Sequence, residues 1–233
     1  MASDSSCQLD EKTLNDNTTV INCANNGQSS LPHSHVLAPM STEGPYFIPE
    51  DPERSDISEG MPGIRLEMTI ALVKAANGKP VSGAVIHVWH CDADGKYSGF
   101  DSSIPIPPNY PHPRIRLPPT NDRRYLRGYQ ITDDDGMATF TTIVPGWYHS
   151  RSIHIHLEVN LENAVVYIGQ LFFEEEIAKM IEKIEPYALI DKERRTNQKD
   201  IIYRRENGDQ TVLKLSGDIK NGFKSKVILG IDA

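Results

Sequence analysis

Basic charge is scarce in this chain: 24 Lys and Arg stand against 32 Asp and Glu over 233 residues, a net charge of −8 at pH 7. That balance supplies no basic stripe of the kind a phosphate backbone requires, so nucleic acid is not an expected partner. Long apolar runs are missing too. The most hydrophobic stretches, Val81 to Trp89 and Val165 to Phe173, are broken by polar residues and are far too short for a bilayer-spanning helix, so no membrane partner is expected. Cysteine is limited to Cys7, Cys23 and Cys91, without a zinc-like spacing. The odd count leaves at least one thiol unpaired within the chain, and the pairing stays open. The start, Met1-Ala2-Ser3-Asp4-Ser5-Ser6, lacks the basic and apolar regions of a secretory signal, so either the protein stays inside the cell or a signal has been removed. Cys7 and Cys23 beside the sequon Asn17-Thr18-Thr19 tilt that choice slightly towards secretion.

What is present reads as one domain behind a polar arm. Residues 1–35 are rich in Asn, Ser, Asp and Gln, and such a composition buries too little apolar surface to offset its ordering entropy, which predicts a flexible arm. Residues 36–233 then form a single unit. Leu66, Met68, Ile70 and Leu72 alternate with Glu67, Thr69 and Ala71, the period of a half-buried strand. Further strands are predicted over Val81–Trp89, Tyr129–Thr132, Met137–Ile143, Ser152–Asn160 and Val165–Phe173, then near Ile201–Tyr203, Val212–Leu215 and Lys226–Leu229. The turn Asp133-Asp134-Asp135-Gly136 predicts a hairpin between its flanking strands. Only Glu174–Ile184 changes period, with Ile177, Met180, Ile181 and Ile184 at helical spacing. The fold class is therefore all-β, a two-sheet sandwich with one short helix and long loops. The longest loop, Asp101 to Asp122, is proline-heavy, and loops of that length in compact domains usually line or cover a site.

Two tyrosines and a His-x-His pair recur at spacings that suit one metal ion: Tyr97, Tyr148, His154 and His156. On an extended strand His154 and His156 project the same way, so both imidazoles can approach one ion from a rigid platform. Taken alone the pair is weak, because two polar residues on a solvated strand face look the same, and His33-Ser34-His35 repeats the spacing inside the predicted arm. The tyrosines raise it. Phenolate oxygens with imidazole nitrogens form a hard, anionic set that suits ferric iron, Fe(3+), and oxygen chemistry, whereas structural zinc prefers thiolates.

Several stretches together resemble the intradiol ring-cleavage dioxygenases, the group that includes catechol and protocatechuate dioxygenases and small stand-alone relatives. They are Thr42-Glu43-Gly44-Pro45-Tyr46-Phe47, Val88 through Ser98, Leu126 through Asp133, and Ile143 through Tyr148 leading to Arg151 and His154-Ile155-His156. The resemblance runs from about Val36 to Phe173. It implies a prealbumin-like sandwich over 36–233 that binds iron and cleaves a catechol with O2 to a cis,cis-muconate-type product. It also implies that Tyr97 and His154 stay on the metal with His156 as the other imidazole, and that Tyr148 is the axial phenolate displaced by substrate, accepting a proton. Arg151 matches an arginine over the substrate ring and Gln170 a glutamine near the same pocket, each weighed against a surface salt bridge or a sheet-edge amide. The short, polar arm departs from the helical linker through which catechol dioxygenases dimerise, so a monomer or weak homo-oligomer is expected. The short segment from Tyr148 to His154 implies an open pocket and broad catechol specificity.

The competing reading is a non-catalytic prealbumin-like binding module. Gly78 to Ala84, Thr132 to Gly136 and Pro145-Gly146-x-Tyr148 also resemble such modules. They lack the combination of Arg151 with His154 and His156, which favours the enzyme.

Overall fold

A computed structural model describes residues 18–21, 38–101, 116–148 and 150–232. The expected arm, apart from residues 18–21, lies outside the described residues, as do Cys7, Cys23, the His33–His35 pair and residues 102–115 of the proline-rich loop. The strands are β1 (Thr18–Ile21), β2 (Arg65–Lys74), β3 (Val85–Trp89), β4 (Arg127–Ile131), β5 (Met137–Ile143), β6 (His154–Leu161), β7 (Ala164–Phe173), β8 (Val212–Leu213), β9 (Ser216–Asp218) and β10 (Gly222–Ile231). Helices α1 (Glu175–Ile181) and α2 (Ile201–Arg205) fall between β7 and β8. The first sheet has the order β1-β10-β2-β5, with β9 also on β10, and the second the order β4-β3-β6-β7-β8.

The predicted all-β sandwich is the observed architecture. Leu66, Met68, Ile70 and Leu72 of β2 meet Ile86 and Val88 of β3 and Ile155, Leu157 and Val159 of β6 in one core, and none of these side chains has exposed surface. Truncating one of the larger of them to Ala would cost about 2–5 kcal/mol, since close packing leaves a cavity that the neighbours only partly fill. On α1, Ala178 and Ile181 turn inward, while Glu175 and Glu176 begin the helix and Lys179 ends it, as the macrodipole favours.

Three local expectations are corrected. The Asp133–Gly136 turn is not a hairpin tip, because β4 belongs to the second sheet and β5 to the first. Asp133 still caps the turn through Oδ1, 2.8 Å from the Met137 N–H, but Thr132 fixes the chain where it leaves β4, donating to Val81 O and accepting from Ala84 N. Turn chemistry is local and does not state whether its two strands pair with each other. Ile201–Arg205 is a helix instead of a strand: Asp200 Oδ1 accepts from the Ile202 and Tyr203 N–H groups, and five residues are too few to display a helical period. Within the arm, Thr18–Ile21 pairs in parallel with Lys226–Leu229, adding an edge strand where the polar composition predicts none.

His90 ties the two sheets together just beyond β3. Its ring, fully buried, bonds through Nδ1 to Cys91 O and through Nε2 to Thr142 Oγ1 on β5, both at 2.7 Å. Burial lowers its pKa from 6.5 to about 4, against the opposing pull of the Cys91 carbonyl. The folded chain thus holds His90 neutral, while the unfolded chain protonates it near its ordinary value. The stability this contributes is complete above about pH 6.5 and declines as pH falls towards 4, by about 1.4 kcal/mol per pH unit for one proton. Urea unfolding of wild type and His90→Gln between pH 7 and 4.5 checks this. The stability difference between the two should shrink with acidification, and parallel curves would refute the assignment.

Candidate active site

The site lies on the outer face of the second sheet. Cross-strand register sets Trp89 of β3 opposite His156 of β6 and His156 opposite Gln170 of β7, with His154 opposite Phe172. Alternation along β6 sends Ile155, Leu157 and Val159 into the core and His154, His156 and Glu158 to this outer face. That face is not solvated: all three are buried, as are Trp89 and Gln170. A second apolar cluster covers it, formed by Tyr46, Phe47, Ile48, Trp89, Cys91, Tyr97, Phe100 and Tyr148. Leu117, from the described end of the proline-rich loop, packs on that cluster, and Arg116 beside it lies 4.3 Å over the Phe47 ring. Arg116 also pairs bidentately with buried Glu43, which accounts for the charge next to Glu158.

Two loops bring the tyrosines together. Asp92 Oδ1 accepts from the Asp94 and Lys96 N–H groups and closes the turn that carries Tyr97, and the Gly146 N–H donates to Asp92 O at 3.0 Å. Gly95, at φ +79°, lies so close to the Trp147 carbonyl that a Cβ would fall 2.1 Å from its oxygen. Asp-Gly and Pro-Gly therefore let the two backbones interlock, which places Tyr97 and Tyr148 side by side with ring centroids 5.7 Å apart. Tyr46 stacks on Tyr97 at 4.5 Å and 22°, while buried Arg127 holds Tyr46 O and the Ser98 carbonyl.

The polar atoms form a continuous chain. Tyr148 Oη is 3.2 Å from His154 Nε2, His154 Nε2 is 3.1 Å from His156 Nε2, and His156 Nε2 is 3.1 Å from Tyr97 Oη. His154 Nδ1 lies 2.7 Å from Ser152 O, a contact that needs its proton there, so Nε2 presents a lone pair to the others. His156 Nδ1 is buried without a partner, and the His156 ring is held instead by stacking on Trp89 at 4.9 Å and 11°. Burial, with Arg151 and neighbouring rings adding to it, holds both imidazoles well below pKa 6.5, in the neutral form that can ligate. Burial likewise raises Tyr97 well above 10; Tyr148 is raised by the same cause with Arg151 opposing it. Four acceptor atoms thus crowd together with neighbouring separations of 3.1–3.2 Å. Those separations match the edges of a coordination shell with bonds of about 2 Å. The donor set fits a hard, highly charged cation, which would compensate two phenolates.

Arg151 is the fixed charge beside this set. It is buried, with Nε donating to Asp200 Oδ2 at 2.9 Å and Nη2 to Gln170 Oε1 at 2.5 Å, and its Nη1 lies 3.3 Å from His154 Nε2 and 3.4 Å from Tyr148 Oη. Burial opposes its charge, but Tyr148 and Asp200 outweigh it and raise the pKa. Burial would raise Asp200, but the Arg151 charge and the Ser152 N–H hold its carboxyl below the usual range. The structure thus gathers every residue singled out from the sequence: Tyr97, Tyr148, Arg151, His154, His156 and Gln170. It adds Trp89, Tyr46 and Asp200. Trp89 and Tyr46 stand inside the stretches that carry the resemblance, and the period of β3 could have indicated the face of Trp89. No local signal marks Asp200.

A family model described as "Dioxygenase" matches residues 42–204, well over half of the chain. An intradiol ring-cleavage dioxygenase from Tetranychus urticae superposes with a TM-score of 0.78 at 35% identity, over 84% of this chain and 94% of that one. The chain belongs to the intradiol ring-cleavage dioxygenase family. Among curated relatives, a chlorocatechol 1,2-dioxygenase of Rhodococcus opacus is 27% identical over 175 residues, covering 67% of this chain and 62% of that protein. A catechol 1,2-dioxygenase of Acinetobacter lwoffii is 32% identical over 114 residues, covering 47% of this chain and 35% of that protein. The chain therefore spans about three fifths of the Rhodococcus protein and a smaller share of the Acinetobacter one. The family is one of iron enzymes, and Tyr97, Tyr148, Arg151, His154, His156, Gln170 and Asp200 all lie within the matched range.

Proposed function

We propose that this protein is an Fe(3+) intradiol dioxygenase that cleaves catechol-type aromatic diols with O2 to cis,cis-muconate-type products. The chain Tyr148 Oη–His154 Nε2–His156 Nε2–Tyr97 Oη, buried and flanked by Arg151, carries this reading. Tyr97, Tyr148, His154 and His156 are the proposed metal ligands, and Tyr148, Arg151 and Gln170 act on substrate. Bound ferric iron would supply a Lewis acid that favours loss of the catechol protons and a redox centre able to take electron density from the catecholate, giving the ring the radical character that reaction with O2 needs.

The remaining work falls to side chains. Tyr97 is locked between the Tyr46 stack and His156, whereas Tyr148 Oη sits next to the Arg151 guanidinium. A phenolate released at Tyr148 would thus have a cation beside it while it takes a proton from an incoming hydroxyl at Oη. Arg151, held in place by Asp200 and Gln170, stabilises negative charge that develops on the ring, which a preorganised donor does at no reorganisation cost. The aromatic cover keeps the surroundings poor in water, which strengthens both effects.

Running the reaction under labelled O2 and identifying the product tests the proposal. Cleavage between the hydroxyl-bearing carbons with both oxygen atoms incorporated is expected, and a yellow semialdehyde would refute it. The two tyrosines should also differ. Tyr148→Phe is expected to keep most of its iron and form the catecholate slowly. Tyr97→Phe should lose more iron, because its phenolate has no role except to stay. Iron content and stopped-flow absorbance after catechol addition check this, and equal iron loss in both variants would remove the distinction.

A further inference from the structure

A polar network outside the proposed ligands runs through α2, which nothing in the sequence announces. It starts at Asp200, whose two carboxylate oxygens divide their work. Oδ1 caps the helix at the Ile202 N–H (2.8 Å), and Oδ2 accepts from Arg151 Nε (2.9 Å) and the Ser152 N–H (2.7 Å). Arg151 continues it through Nη2 to Gln170 Oε1, and Gln170 Nε2 donates to Thr42 O at 2.8 Å. At the far end of α2, Glu206 Oε2 accepts from the Thr42 N–H at 2.7 Å and from Ser41 Oγ, while the Glu206 N–H bonds to Ile202 O at 2.9 Å. The path closes on itself: Asp200, Arg151, Gln170, Thr42, Glu206 and back along α2.

We propose that Asp200 and Glu206, the carboxylates at the two ends of α2, are positioning residues that aim Arg151 at the Tyr148–His154 edge by closing this ring. The catalytic part of the inference rests on the dioxygenase reading above. An Arg side chain carries large rotamer entropy, and a single carboxylate partner leaves it free to pivot about that contact. Here the Asp200 contact fixes Nε and the Gln170 contact fixes Nη2, so the plane of the guanidinium is defined. Gln170 has one amide with two ends, and its carbonyl faces Arg151 only while its NH2 is engaged by Thr42 O. Glu206 Oε2 accepts from the Thr42 N–H, so it closes the ring on the residue whose carbonyl engages Gln170. The same Ser41–Gly44 strap leads to Gly44, where a Cβ would come within 3.1 Å of His156 Cε1. Tyr203 of α2 packs edge-on against Phe172, opposite His154 in the sheet, so the helix itself is anchored next to the site.

Glu206→Ala tests the ring from its remote end, with Glu206→Gln as the conservative variant that keeps one acceptor oxygen. Amide hydrogen exchange of the iron-loaded protein supplies a readout that does not depend on turnover. Removing Glu206 should speed exchange about tenfold both in peptides covering 41–44 and in peptides covering 150–153, where the Ser152 N–H reports on Asp200. A merely local role would change only 41–44. Steady-state kinetics with catechol should show kcat reduced by about tenfold with KM changed by less than about twofold, as when a transition-state contact is loosened. Glu206→Gln should restore both readouts. Unchanged exchange at 150–153, or faster exchange there with an unaltered kcat, would overturn the inference. A wild-type protein that holds iron but cleaves no catechol would refute the dioxygenase reading instead, and the exchange result would still decide whether the ring couples α2 to Arg151.

Discussion

His154→Ala and His156→Ala should each abolish turnover, with bound iron falling to background. Each substitution removes a neutral imidazole from a four-atom set beside which no spare ligand stands among the described residues, since Arg151 and Gln170 are engaged with other partners there. Because both rings are buried, the variants should also lose about 1–4 kcal/mol of stability, from the cavity and from partners left unpaired. For His154 the unpaired partner is Ser152 O, and for His156 the loss is the stack on Trp89. Iron analysis, the visible absorbance of the purified protein and urea unfolding separate the two effects. His154→Gln and His156→Gln, nearer in volume, should recover part of the stability without the iron. Full iron occupancy in either Ala variant would mean that the metal sits elsewhere.

Arg151→Lys is expected to lower kcat by about 10²-fold while catechol binding weakens far less, in line with removal of one preorganised electrostatic group. The guanidinium touches Asp200, Gln170, Tyr148 and His154 through three different nitrogens. An ammonium keeps the charge but lacks the planar fork and cannot reach Asp200 and Gln170 in the same geometry. Transient kinetics resolves the steps, because catechol binding shifts the visible band and its decay after mixing with O2 reports oxygen attack. Slow decay with near-normal binding is the expected result. Normal decay with weak binding would make Arg151 a recognition residue, and near-normal values for both would leave it a structural ion pair with Asp200.

The site was more legible in the sequence than the wiring around it. Tyr97, Tyr148, Arg151, His154, His156 and Gln170 were all reachable, because strand alternation fixes the face shared by His154 and His156, and Gly95 and Gly146 mark loops that must turn tightly. The resemblance to the intradiol dioxygenases supplied the remaining roles. The same alternation left the surroundings of that face undecided. A polar residue at every second position signals a face that differs from the core, and it is silent on whether water or a second layer of side chains lies against it. The cover comes from Tyr46, Phe47 and Leu117, distant in the chain, so its presence depends on long-range packing.

Sequence by itself determined the period of the strands, the all-β class, the Asp133–Gly136 turn and the direction in which the two histidines point, since each follows from interactions within a few residues. Tertiary structure decided which strands became neighbours, so that the Asp133–Gly136 turn links two sheets and Thr18–Ile21 gains a partner in β10. It also decided that Asp200, at the head of a five-residue helix, reaches a guanidinium 49 positions away in the chain. The reason is the range of the forces involved: backbone sterics and side-chain alternation act locally, whereas the partner of a buried charge is whatever group the packed chain carries to within hydrogen-bond distance.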